Sequence, residues 1–91
     1  MRVKLETTSY HRENLTDIYL PIISRSGFTT EIIMNDRDEI EVRIDIDSFE
    51  DLIKLHKELD VELIIRHDYV TKEIIIEIYD DYREWLKWMN H

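Results

Sequence analysis

Residues 40–53 read Ile40-Glu41-Val42-Arg43-Ile44-Asp45-Ile46-Asp47-Ser48-Phe49-Glu50-Asp51-Leu52-Ile53, and the period of the pattern changes inside them. Up to Asp47, apolar and charged residues alternate. Ile40, Val42, Ile44 and Ile46 therefore point to one side of a strand, and Glu39, Glu41, Arg43, Asp45 and Asp47 to the other. At Ser48 the alternation stops. Ser48-Phe49-Glu50-Asp51 is a Ser-x-x-Asp start resembling a capping box, and it opens a helix. Phe49, Leu52, Ile53 and His56, with Leu55 or Leu59, are expected to supply the buried face of that helix. A strand that runs directly into a capped helix is the unit from which the rest of the chain is read.

Upstream, residues 28–34 form a second β-rich run, separated from 39–46 by the polar turn Asn35-Asp36-Arg37-Asp38, so the two should make a hairpin. Downstream the order recurs. Val61 to Arg66 reads as a strand, His67 to Lys72 as a polar turn and Glu73 to Tyr79 as a strand. Asp80 or Asp81 then caps a last helix ending near Asn90. At an offset of 33, residues 46–56 lie over 79–89, with Phe49 over Tyr82, Asp51 over Glu84 and Lys54 over Lys87. A ββα unit used twice, 28–59 and 60–91, is the economical reading; two unrelated amphipathic helices that each follow a strand are the alternative.

The first segment, 1–27, is a strand and a helix. Val3 and Leu5 alternate with Arg2, Lys4 and Glu6, and Leu15, Ile18, Tyr19, Ile22 and Ile23 make one helical stripe. Pro21 lies inside that stripe and removes a hydrogen bond, so a helix over 10–24 should kink or restart there, with Gly27 ending it in a left-handed turn. The expected fold is a single α+β domain, strand–helix followed by two ββα units. Its sheet is mostly antiparallel, with the helices of both units on one face. The first strand should add an edge and the first helix partial cover. Val42, Ile44, Leu52, Ile53, Leu63, Ile65, Ile76, Ile78, Trp85 and Leu86 are the expected core. Ile33, Ile64, Ile75 and Tyr79 fall on the opposite face, shielded either by the first helix or by another molecule.

Composition excludes several function classes. With 91 residues, 43% apolar and 36% charged, the chain is too short for two domains, too apolar for disorder and too charged for a membrane protein. It has no cysteine, which removes disulfide scaffolds, thiol catalysis and iron–sulfur chemistry. Twelve Lys and Arg against 21 Asp and Glu give −9, which argues against direct nucleic-acid binding. Residues 1–27 carry net +1 and 28–91 net −10, so the acidity belongs to the last two thirds. Met1 to Glu6 offers no apolar stretch for a signal peptide, and the longest apolar run, Ile18 to Ile23, cannot span a bilayer. The expected location is the cytoplasm.

No constellation supports catalysis. One glycine cannot build a phosphate-holding loop, and the serines lack a nucleophile elbow. Asp45-x-Asp47 at a strand end could hold Mg²⁺, but Asp47 and Ser48 have an ordinary role at the helix start. His56 falls on the expected buried stripe, His67-Asp68 lies in a turn, and no two histidines share the i, i+4 spacing of a helical zinc pair. So short a chain is also expected to have difficulty forming a cleft of several hundred cubic ångströms. The reading is a non-enzymatic protein with no cofactor and no metal.

What stands out is acidity. From Asp36 to Asp51, 16 residues hold eight acids and two arginines. Glu39, Glu41, Asp45 and Asp47 share a strand face at a spacing of roughly 6.6 to 6.8 Å, a row comparable to a line of phosphates. Glu50, Asp51, Glu73, Glu77, Asp80 and Asp81 could widen it. The alternative is a solvated face kept charged against aggregation. Trp88, on the flank of the last helix, is either core or an anchor for a partner.

Ile46-Asp47-Ser48-Phe49-Glu50-Asp51-Leu52-Ile53-Lys54-Leu55 and Ile76-Glu77-Ile78-Tyr79-Asp80-Asp81-Tyr82-Arg83-Glu84 resemble short phage-encoded proteins of Gram-positive bacteria, over about residues 40–86. In size and acidity the chain is similar to anti-CRISPR inhibitors, several of which imitate nucleic acid. The resemblance carries over no functional residue; the acidic face read above (Glu39, Glu41, Asp45, Asp47, Glu50, Asp51) is itself expected to occupy the basic groove of a nucleic-acid-binding protein such as a CRISPR effector, in the host cytoplasm if the chain is phage-encoded, with Trp88 as a further contact. The rival expectation is a phage or bacterial assembly protein that forms homo-oligomers through Trp88 or the Ile33–Ile64–Ile75 surface, its charge serving solubility alone.

Overall fold

The computed structural model describes residues 1–9 and 11–80. It has a mixed α+β fold in which one five-stranded sheet carries the helices. The strands are β1 (Arg2–Thr7), β2 (Thr30–Met34), β3 (Ile40–Asp45), β4 (Glu62–His67) and β5 (Ile74–Tyr79). A π-helical turn, Leu15–Tyr19, leads into α1 (Leu20–Arg25), and α2 spans Phe49–Leu59. The lateral order is β2-β3-β1-β5-β4. β1 is antiparallel to β3 and parallel to β5, while each hairpin is antiparallel within itself. β3 and β4 therefore run in the same direction on opposite sides of β1, and α2 carries the chain between them across the sheet.

Both hairpins lie in one sheet, but they do not touch. The first strand, expected at an edge, lies between them and is the centre of the sheet. Alternation along β1 reports that one face is buried and says nothing about lateral neighbours, so its position was not readable from residues 1–7. The expected final helix, with Tyr82, Trp85, Leu86, Trp88 and Met89, lies outside the described residues.

The core sits on one side of the sheet. Val3 and Leu5 of β1, Val42 and Ile44 of β3, and Ile76 and Ile78 of β5 form its floor. Tyr19, Ile23, Leu55 and Leu59 close it from above, with Ile46 and Val61 at the ends of α2. The π-helical turn and α1 thus share this core with α2; they do not shield the opposite face. Burying each such side chain contributes about 1.5 to 3 kcal/mol against the entropy of ordering the chain.

α2 turns a different stripe inward from the one expected. Leu55 and Leu59 are buried and Leu52 is partly buried, whereas Phe49 is 75% exposed, Ile53 is 43% exposed and His56 is exposed. Leu52, Leu55 and Leu59 follow the i, i+3, i+7 spacing, and Phe49 and Ile53 lie on the flank of that line. Ser48 Oγ accepts the Asp51 N–H at 3.2 Å, as a cap should. The Asp51 carboxylate reaches back to the Asp47 N–H at 2.9 Å, one residue beyond the partner a standard capping box would use.

Pro21 explains the helix before it. Leu20 N–H bonds to Leu15 O, the wider i→i−5 pattern, and the α-helical ladder restarts at Leu20 with Pro21 in its first turn. There the missing N–H costs nothing. Gly27 follows the end of α1 at φ +92°, a conformation L side chains rarely adopt. Two further core expectations need correction. Ile65 is 54% exposed on β4, an edge strand among the described residues on which Leu63 packs against the core, and Ile53 faces away as described.

Candidate protein-binding surface

Strand parity puts Arg2, Lys4 and Glu6 of β1 on the face opposite the helices, beside Glu41, Arg43 and Asp45 of β3 and Glu77 of β5. The register sets like charges directly opposite one another, Lys4 against Arg43 and Glu6 against Glu77, which alone would be unfavourable. Diagonal partners resolve it. Arg66 binds both Glu77 and Glu6, the latter at 2.9 Å. Lys4 Nζ lies 3.3 Å from Glu6 and 3.7 Å from Glu41. Arg43 lies 3.1 Å from Glu41 and 2.7 Å from Glu73. The result is one alternating chain, Glu77–Arg66–Glu6–Lys4–Glu41–Arg43–Glu73, that crosses the sheet. Arg2 separately joins Glu31 to Asp45.

The acidic residues singled out from the sequence therefore separate. Glu41 is engaged by Asn35, Lys4 and Arg43. Burial pushes its carboxyl up, but the Asn35 amide, Lys4 and Arg43 outweigh burial and hold it below its ordinary value. Asp45 is held by Arg2 and Asp47 by the amino group of Met1. Asp51 serves the α2 cap, and Glu50 is exposed in the first turn. Glu39 is exposed just before β3, and Trp88 lies outside the described residues. Glu73 and Glu77, expected to widen the row, belong to the ion-pair chain. Asp81 lies outside the described residues. Arg43 lies in the row itself, whereas Arg2, Lys4 and Arg66 were missed because they come from β1 and β4, remote in sequence; the Arg2-x-Lys4 alternation was their only local signal.

Asp80 does something else. It is 1% exposed, and three neutral donors converge on it: Thr7 Oγ1 at 2.6 Å, Ser9 N–H at 3.1 Å and Tyr19 O–H at 2.9 Å. It fastens β1, the loop after it and the π-helical turn to the end of β5, and so belongs to the interior and not to an acidic surface. Of the apolar residues on the outer face, Ile75 is 2% exposed with Lys4 and Arg66 as its neighbours in register, whereas Ile64 remains exposed.

A cleft of about 540 Å³ opens where β1 parts from β3. The last direct pair there is Leu5 with Val42, so Glu6 and Thr7 continue beside β5 alone. The cleft exceeds what chain length suggested because it lies beneath an overhanging hairpin, outside the core. Several of its polar groups are committed elsewhere: Thr7 Oγ1 donates to Asp80, Thr16 Oγ1 to the Glu13 carbonyl, and Glu6 and Glu41 hold Lys4.

Among the described residues no three His, Asp or Glu side chains converge as a metal site. His11 pairs with Glu13, and His67 stacks edge-on against Tyr69 at 5.3 Å. The Asp68 carboxylate accepts the Val70 and Thr71 N–H groups in an ordinary turn, and these hold it below its usual value. No helix of the described residues is long and apolar enough to cross a membrane.

The far end of the β2–β3 hairpin is different. Met34 and Ile40 are directly paired, and Ile32 lies next to them on the same face, yet they are 63%, 58% and 53% exposed. The turn joining these strands carries Asp36, Asp38 and Glu39, all exposed, against one exposed base, Arg37. Comparison with protein-family models, with curated proteins and with solved structures finds no match to this chain.

Proposed function

We propose that this chain is a non-catalytic protein-binding module, and that it docks through the end of the β2–β3 hairpin onto a partner with an apolar centre and a basic rim, as in the groove of a nucleic-acid-binding protein. One observation carries this reading: Ile32, Met34 and Ile40 form an uncovered apolar cluster bordered by Asp36, Asp38 and Glu39. Apolar centre with polar rim is the usual anatomy of a protein interface. Glu41 and Asp45 of the strand row are engaged within the sheet, so the acidity nearest this apolar cluster that is offered to a partner is that of the turn. Complementary charge would make association fast and salt-sensitive.

The test is affinity capture with wild type, with the triple reversal of Asp36, Asp38 and Glu39 to Lys, and with Ile40→Ser. The expected result is a nucleic-acid-binding protein retained by wild type, released by raised salt and by added oligonucleotide, and lost with both variants. Retention of the same protein by all three chains, or retention that oligonucleotide does not oppose, would overturn the reading.

A further inference from the structure

β4 is an edge strand among the described residues, paired on one side only with β5. Asp68 N–H bonds to Glu73 O in the same register, which settles the direction of the backbone groups along the strand. In an antiparallel ladder hydrogen-bonded and non-hydrogen-bonded pairs alternate. Glu62, Ile64 and Arg66 therefore turn their N–H and C=O groups to β5, and Leu63, Ile65 and His67 turn theirs outward. The register runs unbroken from Glu62 to His67, with no bulge, proline or lysine of the kind that usually blunts an edge. Five of its six residues are exposed.

We propose that two copies of this chain pair antiparallel through β4, centred on Ile64, and form one continuous ten-stranded sheet. A two-fold axis normal to the sheet keeps each face on its own side, so only registers that pair like-facing residues are open. Centring on Ile64 sets Leu63 against the partner's Ile65, both with outward backbone groups, and Glu62 against the partner's Arg66. By symmetry this opposite-charge pair occurs twice. Arg66 uses Nε for Glu77 and Nη2 for Glu6, which leaves donors of its five for a third carboxylate. Sliding by two residues sets Glu62 either against the partner's Asp68, a like charge, or against the partner's Ile64. The other edge, β2, has Glu31 as its one charged residue, already held by Arg2, and offers no such self-complementary pair. The pairing leaves both β2–β3 ends free at the outer limits of the sheet, independent of whether they bind a partner.

Sedimentation across a wide concentration range should show a species of twice the chain mass. Glu62→Arg alone and Arg66→Glu alone should each be monomeric, since each sets like charges opposite, and mixing the two variants should restore a dimer. In the centred register Ile64 meets the partner's Ile64 as a non-hydrogen-bonded pair, Cα atoms about 4.5 Å apart, within disulfide reach. Because the chain has no cysteine, Ile64→Cys should crosslink to a covalent dimer on mild oxidation, and Ile32→Cys on β2 should not. A monomer at every concentration, or crosslinking through Ile32→Cys in preference to Ile64→Cys, would overturn the proposal.

Discussion

The hydroxyl of Tyr19 donates to Asp80 Oδ2 at 2.9 Å across 61 residues of sequence, and it gives the π-helical turn a reason to exist. The wide turn ahead of Pro21 brings Tyr19 into the core at 3% exposure, with its polar end on a buried carboxylate. The Thr7 hydroxyl and the Ser9 N–H donate to the other oxygen, Oδ1.

Tyr19→Phe leaves Asp80 Oδ2 without this donor, and should destabilise by about 1 to 3 kcal/mol. Asp80→Ala should cost more, because it removes the acceptor that Thr7, Ser9 and Tyr19 share. Urea unfolding of the three chains checks the order. Equal midpoints for wild type and Tyr19→Phe would show that the contact carries no stability.

The inward stripe of α2 gives a paired comparison. Leu55→Ala empties a fully buried site and should cost about 2 to 5 kcal/mol. Phe49→Ala removes a larger side chain that is mostly exposed and should change stability by about 0.5 kcal/mol or less. Thermal unfolding followed by circular dichroism separates the two; a reversed order would mean that the helix faces the other way.

Those two positions also show what was legible in the sequence. The second hairpin strand and α2 were readable to within a residue or two, because alternation, a serine cap and the Asn35–Asp38 turn agree with one another. The face of α2 was not, because Phe49, Ile53 and His56 are as apolar or bulky as Leu52 and Leu55, and only the tertiary surround decides between overlapping stripes. Charge was misread for a similar reason. Glu41 and Asp45 stand out in a window of sixteen residues, whereas Arg2, Lys4 and Arg66, which neutralise the outer face, arrive from strands remote in sequence. A row of carboxylates is a property of a strand; its potential is a property of the sheet.

Gly27 offers a local test of the chain reversal between α1 and β2. A Cβ there would meet only the Lys54 ammonium at 3.9 Å, so space is not limiting, but φ is +92°. Gly27→Ala should therefore destabilise by about 1 kcal/mol through backbone strain alone. Gly27→Asn should recover part of that loss, since Asn tolerates positive φ better than Ala. Equal stability of Ala and Asn variants in urea would argue that strain is not the cause.

The Glu41 carboxyl makes the ion-pair chain testable by pH. Its folded value lies below the ordinary 4.5, so the folded state favours the ionised form. The resulting stability is fully present above the unfolded value and is lost as pH falls through the folded one. The difference in unfolding free energy between wild type and Glu41→Gln should thus be largest above about pH 4.5 and close progressively below it. Lys4→Met removes one of the groups that hold the carboxyl down while keeping an unbranched stem in place. In that background the folded value moves back toward 4.5, and the pH-dependent part of the Glu41→Gln difference should shrink. Urea midpoints measured from pH 7 down to 3 for wild type, the two single variants and the double variant form a complete cycle. A Glu41→Gln difference that stays constant with pH, or one that Lys4→Met leaves unchanged, would show that Glu41 is not coupled to Lys4 across β1 and β3.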